Sequence, residues 1–122
     1  MPILDARVSV SRFGPDSFVV AADGDLDGDT AERLRETFAE VLELGGRQLL
    51  VDLTGVSFTD PTALQVIAHT AKTLRSRGGR IVLVTDDPRV TRAIEIPGIE
   101  RGVRVESSLP EAVQQLVKWR DA

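Results

Sequence analysis

Apolar and β-branched residues cluster near the start of the chain in two short runs, residues 7–11 and 17–21. A turn-forming group, Phe13-Gly14-Pro15-Asp16, separates the two runs, and such groups commonly close β-hairpins. The pattern therefore predicts that the domain begins with an antiparallel pair of strands.

Two later segments carry apolar residues at helical spacing, and a pair of glycines follows each segment. The first stripe consists of Ala31, Leu34, Phe38, Val41 and Leu42, and the second of Leu64, Ile67, Ala71 and Leu74. Asp27 or Asp29 is the expected N-cap of the first helix. For the second helix we expect Asp60 as N-cap and Pro61 in the first turn.

Strands are predicted at residues 49–53 and 81–84, where apolar runs are typical of parallel strands covered on both faces. In the rest of the chain, helices and strands continue to alternate. The pattern predicts a short helix opened by Asp87-Pro88 and broken by Pro97-Gly98, a brief strand around Val103 and Val105, and a last helix after the capping box Ser108-Leu109-Pro110-Glu111.

This order of elements predicts the α/β class, with an open mixed β-sheet, an antiparallel N-terminal edge pair and about four helices packed against it. The glycine pairs at residues 45–46 and 78–79 suggest a repeat, but two successive right-handed βα units explain the spacing without a solenoid. We expect residues 1–122 to form a single domain, since this length is usual for one domain.

Composition narrows the range of functions. The formal net charge is -4 and the 15 basic residues are scattered, whereas nucleic-acid binding relies on clustered lysine and arginine. The chain has no cysteine and no apolar run long enough to cross a membrane. We therefore expect a cytoplasmic protein with no nucleic-acid partner and no membrane insertion.

Acidic residues alternate with glycine and leucine from Asp23 to Asp29, as in the first half of a calcium-binding loop. The twelfth position of such a loop requires a bidentate glutamate, and here it is Leu34. The simpler interpretation is that these carboxylates lie at the N terminus of the first helix. No metal is expected.

The sequence offers little for catalysis. His69 is the only histidine, and its position opposite the apolar stripe predicts a solvated histidine on the helix face. No glycine-rich phosphate loop is present. Asp52 is a candidate acceptor of a receiver domain, but both lysines, Lys72 and Lys118, fall on predicted helices, whereas such a domain is thought to need a lysine after its last strand. We expect a protein that binds rather than an enzyme, without a cofactor.

One segment runs from a predicted strand directly into a predicted helix: Val51-Asp52-Leu53-Thr54-Gly55-Val56-Ser57-Phe58-Thr59-Asp60-Pro61-Thr62-Ala63-Leu64. Together with Gly24-Asp25-Leu26-Asp27 upstream and Gly79-Arg80-Ile81-Val82-Leu83-Val84 downstream, it resembles the STAS domain of bacterial anti-sigma factor antagonists. The resemblance covers a core of residues 7–118. In that family the strand leads into D-S-S-G-L, and a kinase that is also the anti-sigma factor phosphorylates the second serine.

The resemblance implies that Thr62 is the phosphate acceptor and that the partner is an anti-sigma factor with serine/threonine kinase activity, with a phosphatase as a further partner. The expected partner-binding residues are Asp27, Asp60, Pro61, Thr62, Ala63, Gln65, Val66 and His69. On the helical wheel Thr62, Val66, His69 and Thr73 share the outward face, so a partner that contacts the turn can extend along that face. Pro61 stands where the family has a small polar residue, and Ala63 where it has glycine.

The expected position of Thr62 in the second helix also favours this residue as a switch. As the second residue of a helix it lies where free backbone N–H groups and the helix dipole favour a phosphate. Two other functions stay open. Pro61 and Ala63 are compatible with a STAS scaffold or transporter-associated subunit that is never phosphorylated, and some STAS domains are thought to sense small molecules.

Overall fold

The computed structural model describes residues 7–95 and 103–121. The elements follow the order β1 (Arg7–Arg12), β2 (Ser17–Leu26), α1 (Gly28–Glu43), β3 (Gln48–Thr59), α2 (Pro61–Ser76), β4 (Arg80–Val84), α3 (Pro88–Glu95), β5 (Val103–Glu106) and α4 (Leu109–Asp121). The predicted α/β class and the antiparallel N-terminal pair are confirmed, as are four helices within these residues. The predicted helix break at Pro97-Gly98 lies outside them.

The five strands form one sheet in chain order, β1-β2-β3-β4-β5. Strand β1 pairs antiparallel with β2, and the other neighbours pair parallel. Because β2 to β5 run in the same direction, their last residues all lie at one end of the sheet, which we call the carboxyl end. Their first residues lie at the opposite, amino end.

Helices cover both faces of the sheet, as the apolar runs of β3 and β4 predicted. On one face the main core joins the strands to α1, α2 and α3, with Leu34, Phe38, Ile67 and Ile94 among its buried side chains. On the other face α4 packs over β3 and β4, in a smaller cluster of Leu50, Val82, Val84, Ala112 and Leu116.

Strands β2 and β3 are longer than the sequence pattern predicts. The pattern ends β2 at residue 21, but pairing with β3 continues to Leu26 with register irregularities at two places. Gly24, with a φ of 87°, lies at the second of these irregularities. Aspartate and glycine are poor strand formers, but the ladder with β3 outweighs their local preference. As a result, both strands reach the turns that begin the next helices.

The two glycine pairs end α1 and α2 in the same way. Gly45 and Gly78 adopt positive φ values of 85° and 75°. The N–H groups of Gly46 and Gly79 donate to the carbonyls of Val41 and Leu74, at 2.8 and 2.7 Å. These bonds complete Schellman motifs, so the predicted helix stops are confirmed and the chain turns directly into β3 and β4.

Candidate functional site

The candidate site lies at the carboxyl end of the sheet, where β2 and β3 end side by side. Leu26 pairs with Thr59 in the final register position, and the N–H of Asp60 donates to the carbonyl of Leu26 at 3.0 Å. Asp27 and Asp60 therefore follow neighbouring strands directly. The structure brings together two acidic residues that are more than thirty positions apart in the sequence.

Asp60, Pro61 and Thr62 begin α2 as the sequence predicts. The Asp60 backbone is extended, with φ -96° and ψ 163°, and its carboxylate accepts a hydrogen bond from the Thr62 N–H at 2.7 Å. Pro61 occupies the first turn, where its missing N–H costs nothing. This cap fixes the backbone of Thr62 and leaves its side chain exposed. Within residues 7–95 and 103–121 the Thr62 hydroxyl makes no hydrogen bond.

Two residues expected to contact a partner lie deeper than the sequence suggests. Ala63 is 0% exposed, so its methyl group packs in the core and offers no contact surface. Val66 is half-buried and packs against the same core, although the helical wheel places it on the outward face. The neighbouring strands and α1 wrap further around α2 than a simple helical wheel assumes.

The outward face of α2 consists of polar side chains. Gln65 and His69 are exposed, which confirms the expected solvated position of the histidine. Thr73 lies one turn further along, and its hydroxyl donates to the carbonyl of His69 at 3.0 Å. Thr62, Gln65 and His69 thus form a continuous exposed stripe that begins at the cap.

Asp27 caps α1 more extensively than Asp60 caps α2. Its carboxylate accepts hydrogen bonds from both the N–H and the hydroxyl of Thr30, each at 3.1 Å. The Thr30 N–H, followed by its hydroxyl, lowers the pKa of Asp27 below its usual value of 3.8. Of the two expected caps of α1, the structure selects Asp27 over Asp29.

Sequence reasoning missed Arg89, an arginine of α3 whose side chain reaches β3 near this end of the sheet. It pairs with Asp87 at 2.8 Å, and this hydrogen-bonded pair lowers the pKa of Asp87 to about 2. One guanidinium nitrogen also lies 3.5 Å from the carbonyl of Ser57. The side chain is 79% exposed. No local motif marks it, because its position depends on α3 packing beside β3.

The acidic run before α1 does not form a calcium loop. Asp23 and Asp25 belong to β2, and a Cβ atom on Gly55 of β3 would lie only 1.8 Å from an Asp23 carboxylate oxygen. Asp23 therefore lies against the neighbouring strand. The described residues contain no group of three or more metal-ligating side chains that could hold an ion.

Comparisons with known proteins agree with this geometry. Residues 10–112 match the family model of the STAS domain. This chain belongs to the STAS domain family. A related sequence, the anti-sigma-B factor antagonist of Listeria monocytogenes, is 27% identical over 104 residues, which cover 85% of this chain and 91% of that protein.

Two solved structures share the STAS fold at low sequence identity. The phosphorylated form of the Bacillus cell fate determinant SpoIIAA is 15% identical with a TM-score of 0.74, covering 90% of this chain and 99% of that chain. A sulfate transporter family protein from Wolinella succinogenes is 16% identical with a TM-score of 0.78, covering 92% and 93%. At these identities the likeness establishes the fold alone. In this chain, no helix of the described part has the length and apolar character needed to cross a membrane.

Proposed function

We propose that this STAS protein is an anti-sigma factor antagonist that binds an anti-sigma factor kinase in the cytoplasm and is switched off by phosphorylation of Thr62. The observation that carries the proposal is the Thr62 side chain: it is exposed, its backbone is fixed by the Asp60 cap, and its hydroxyl has no hydrogen bond within the described residues. The match to the Listeria monocytogenes antagonist supports the same partner class.

The proposed docking surface consists of Asp27, Asp60, Pro61 and Thr62, and it continues along α2 through Gln65 and His69. Val66 contributes only the part of its side chain that the core leaves exposed. Ala63 acts indirectly, because its buried methyl holds the first turn of α2 against the core.

A phosphate on Thr62 would act mainly through charge. It would add about -1.5 to -2 charges beside the Asp60 carboxylate, which already accepts the Thr62 N–H, and near the exposed Asp27. Contrary to the expectation from the sequence, the first turn of α2 has few free N–H groups to offset this charge, because Pro61 has none and the Asp60 carboxylate accepts the Thr62 N–H. A partner that docks on the unmodified turn is therefore repelled, while the core beneath is unchanged. A phosphatase would restore the docking surface.

The direct test is phosphotransfer. Incubation with the cognate kinase and ATP should place one phosphate on the peptide that contains Thr62, as located by mass spectrometry, and Thr62→Ala should abolish it. Thr73→Ala is the matched control, because this threonine lies on the same helix but its hydroxyl is bonded to a backbone carbonyl. Phosphate on another residue, or none, would contradict the proposal.

A binding measurement tests the docking surface separately. Thr62→Glu should weaken kinase binding by roughly a hundredfold or more, since like charges brought together at an interface cost several kcal/mol. Ser76→Glu places the same charge at the far end of α2 and should leave the affinity unchanged. Equal effects of the two substitutions would place the interface elsewhere.

Pro61 and Ala63 supply a further test, because both depart from the family pattern. The double substitution Pro61→Ser with Ala63→Gly restores that pattern, and we expect faster phosphorylation of Thr62. A proline fixes its own φ, and the alanine methyl is already packed in the core, so both residues stiffen the turn that a kinase must approach.

A second candidate function is a STAS scaffold or transporter-associated subunit that is not phosphorylated. The fold shared with the Wolinella succinogenes sulfate transporter family protein and the stiff Pro61–Ala63 turn favour it. Stable binding to a partner with no phosphotransfer to Thr62, and recovery of membrane transport components in pull-downs, would support this alternative over the switch.

A further inference from the structure

An open cavity lies at the amino end of the sheet, opposite the end that carries Thr62. Its volume is about 440 Å³ and its walls include Arg75, Arg80, Arg104 and Trp119. We call it the arginine pocket. The volume falls within the range of roughly 300–1,000 Å³ that is usual for small-molecule sites.

Three different elements of the fold supply the cations. Arg75 lies in the last turn of α2, Arg80 begins β4, and Arg104 is the second residue of β5. Their convergence is notable because the chain as a whole has a formal net charge of -4. The described residues that line the pocket include no carboxylate. Guanidinium groups gathered around a cavity are suited to phosphate, which accepts two parallel hydrogen bonds from each.

The neighbouring contacts hold two of these arginines in place. The Arg80 guanidinium carbon lies 5.6 Å from the centre of the Trp119 ring, at cation–π distance. Arg104 donates from Nε to the Glu106 carboxylate at 2.7 Å, an ion pair that does not use its two Nη groups. Such fixed guanidinium groups lose less freedom when a ligand binds.

The rest of the wall is apolar or without a side chain. Ile81 and Val103 line the cavity but are buried in the main core, so the accessible apolar surface comes from the arginine stems and the half-buried Trp119. Gly79 contributes only backbone to the wall, because a Cβ atom there would lie 2.3 Å from the carbonyl oxygen of Arg47. An inorganic anion would leave this apolar wall uncovered, whereas a ligand with an apolar body would cover it.

We propose that the arginine pocket binds a small phosphate monoester with a compact apolar body. The phosphate lies between the guanidinium groups of Arg80 and Arg104, and the body lies against Trp119. This site does not depend on the Thr62 switch, because the two lie at opposite ends of the parallel strands.

Trp119 is the only tryptophan of the chain, so its fluorescence reports on the pocket directly. Titration with phenyl phosphate at constant ionic strength should change the fluorescence with saturation, and the Gly79 amide should shift in parallel in NMR spectra. Inorganic phosphate should bind more weakly. Phenol, which lacks the charge, should give no saturable change, and an equal response to phenol would overturn the proposal.

Arginine substitutions complete the test. Arg80→Gln and Arg104→Gln should each weaken binding about tenfold or more, since hydrogen bonds to charged groups contribute roughly 1.5–3 kcal/mol. The NMR shift gives the affinity of the Arg80 variant, because loss of its contact alters the fluorescence of Trp119 itself. Arg89→Gln and Arg92→Gln, in α3 at the carboxyl end, are the matched controls. Wild-type affinity in both pocket variants would refute the site.

Discussion

The turns that join β2 to α1 and β3 to α2 both begin with an aspartate cap, and they differ in what the cap holds. In the first turn Asp27 binds both the N–H and the hydroxyl of Thr30, which is 4% exposed. The Thr30 hydroxyl also lies 3.1 Å from the carbonyl oxygen of Asp25. In the second turn Asp60 binds only the N–H of Thr62, and the Thr62 side chain is exposed.

The difference shows how one local motif serves two purposes. A threonine whose hydroxyl is buried and bonded stabilises its turn and is closed to a kinase. A threonine whose backbone is fixed and whose hydroxyl has no bonded partner in the described structure offers a reactive group at a defined position. The following predictions test this contrast between Thr30 and Thr62.

The largest effect is expected from a buried charge. Thr30→Glu should destabilise the protein by roughly 3 kcal/mol or more, because an unpaired charge in the core is not compensated. Thr62→Glu should change the free energy of unfolding by less than about 0.5 kcal/mol, as is usual for exposed sites. Urea denaturation of both variants measures the difference. Similar losses of stability would show that Thr62 is not a free surface position.

Removal of the threonine hydroxyl alone should give a smaller difference in stability between the two positions. Thr30→Val keeps the shape of the side chain and removes the hydroxyl that donates to the Asp27 carboxylate, at an expected cost of about 1–2 kcal/mol. Thr62→Val should be nearly neutral for stability while abolishing phosphorylation. Denaturant midpoints and the phosphotransfer assay check the two parts, and a destabilised Thr62→Val would contradict the comparison.

Replacement of the two capping aspartates should give a smaller difference in stability. Asp60→Ala should cost about 1 kcal/mol, a typical value for loss of an N-cap. Asp27→Ala should cost more, because it removes the acceptor of two hydrogen bonds instead of one. Asp29→Ala is the control at an acidic residue of the first turn that is not the cap. The order of the thermal unfolding temperatures tests this ranking.

The smallest expected effect is a change in how stability depends on pH. The folded state lowers the pKa of Asp27 below 3.8, so the carboxylate stabilises the fold fully above that value and this contribution is lost as the pH falls through the lowered pKa. Asp27→Asn retains a capping side chain but cannot titrate. Its stability relative to the wild type should therefore improve as the pH falls below about 4. Parallel curves for the two proteins between neutral and acidic pH would contradict the assigned pKa shift.

Much of the fold follows from local patterns. The helical stripes, the Asp60 cap with Pro61 and the two glycine pairs lie where their chemistry places them, because each depends on neighbours within one or two turns. The position of Thr62 at the start of α2 belongs to the same class. The lengths of β2 and β3 do not, since their ends contain weak strand formers held by cross-strand pairing.

The site was only partly accessible from the sequence. Ala63 was expected to contact a partner and the helical wheel placed Val66 on the outward face, but burial depends on how far α1 and the sheet wrap around α2. Arg89 had no recognisable motif, because its bond to Ser57 joins residues from two separate elements. The arginine pocket is a similar case, with walls from α2, β4, β5 and α4.

The sequence by itself determined the order of the elements, the helix caps and stops, and the location of an exposed threonine at a helix start. These features depend on backbone conformation and hydrogen bonds between near neighbours. Only the tertiary structure decided that Asp27 and Asp60 follow neighbouring strands. It also decided that the Thr30 side chain is buried while the Thr62 side chain is exposed, and that three arginines line one cavity. Such arrangements arise from the register of parallel strands and the packing of helices, which no local pattern encodes.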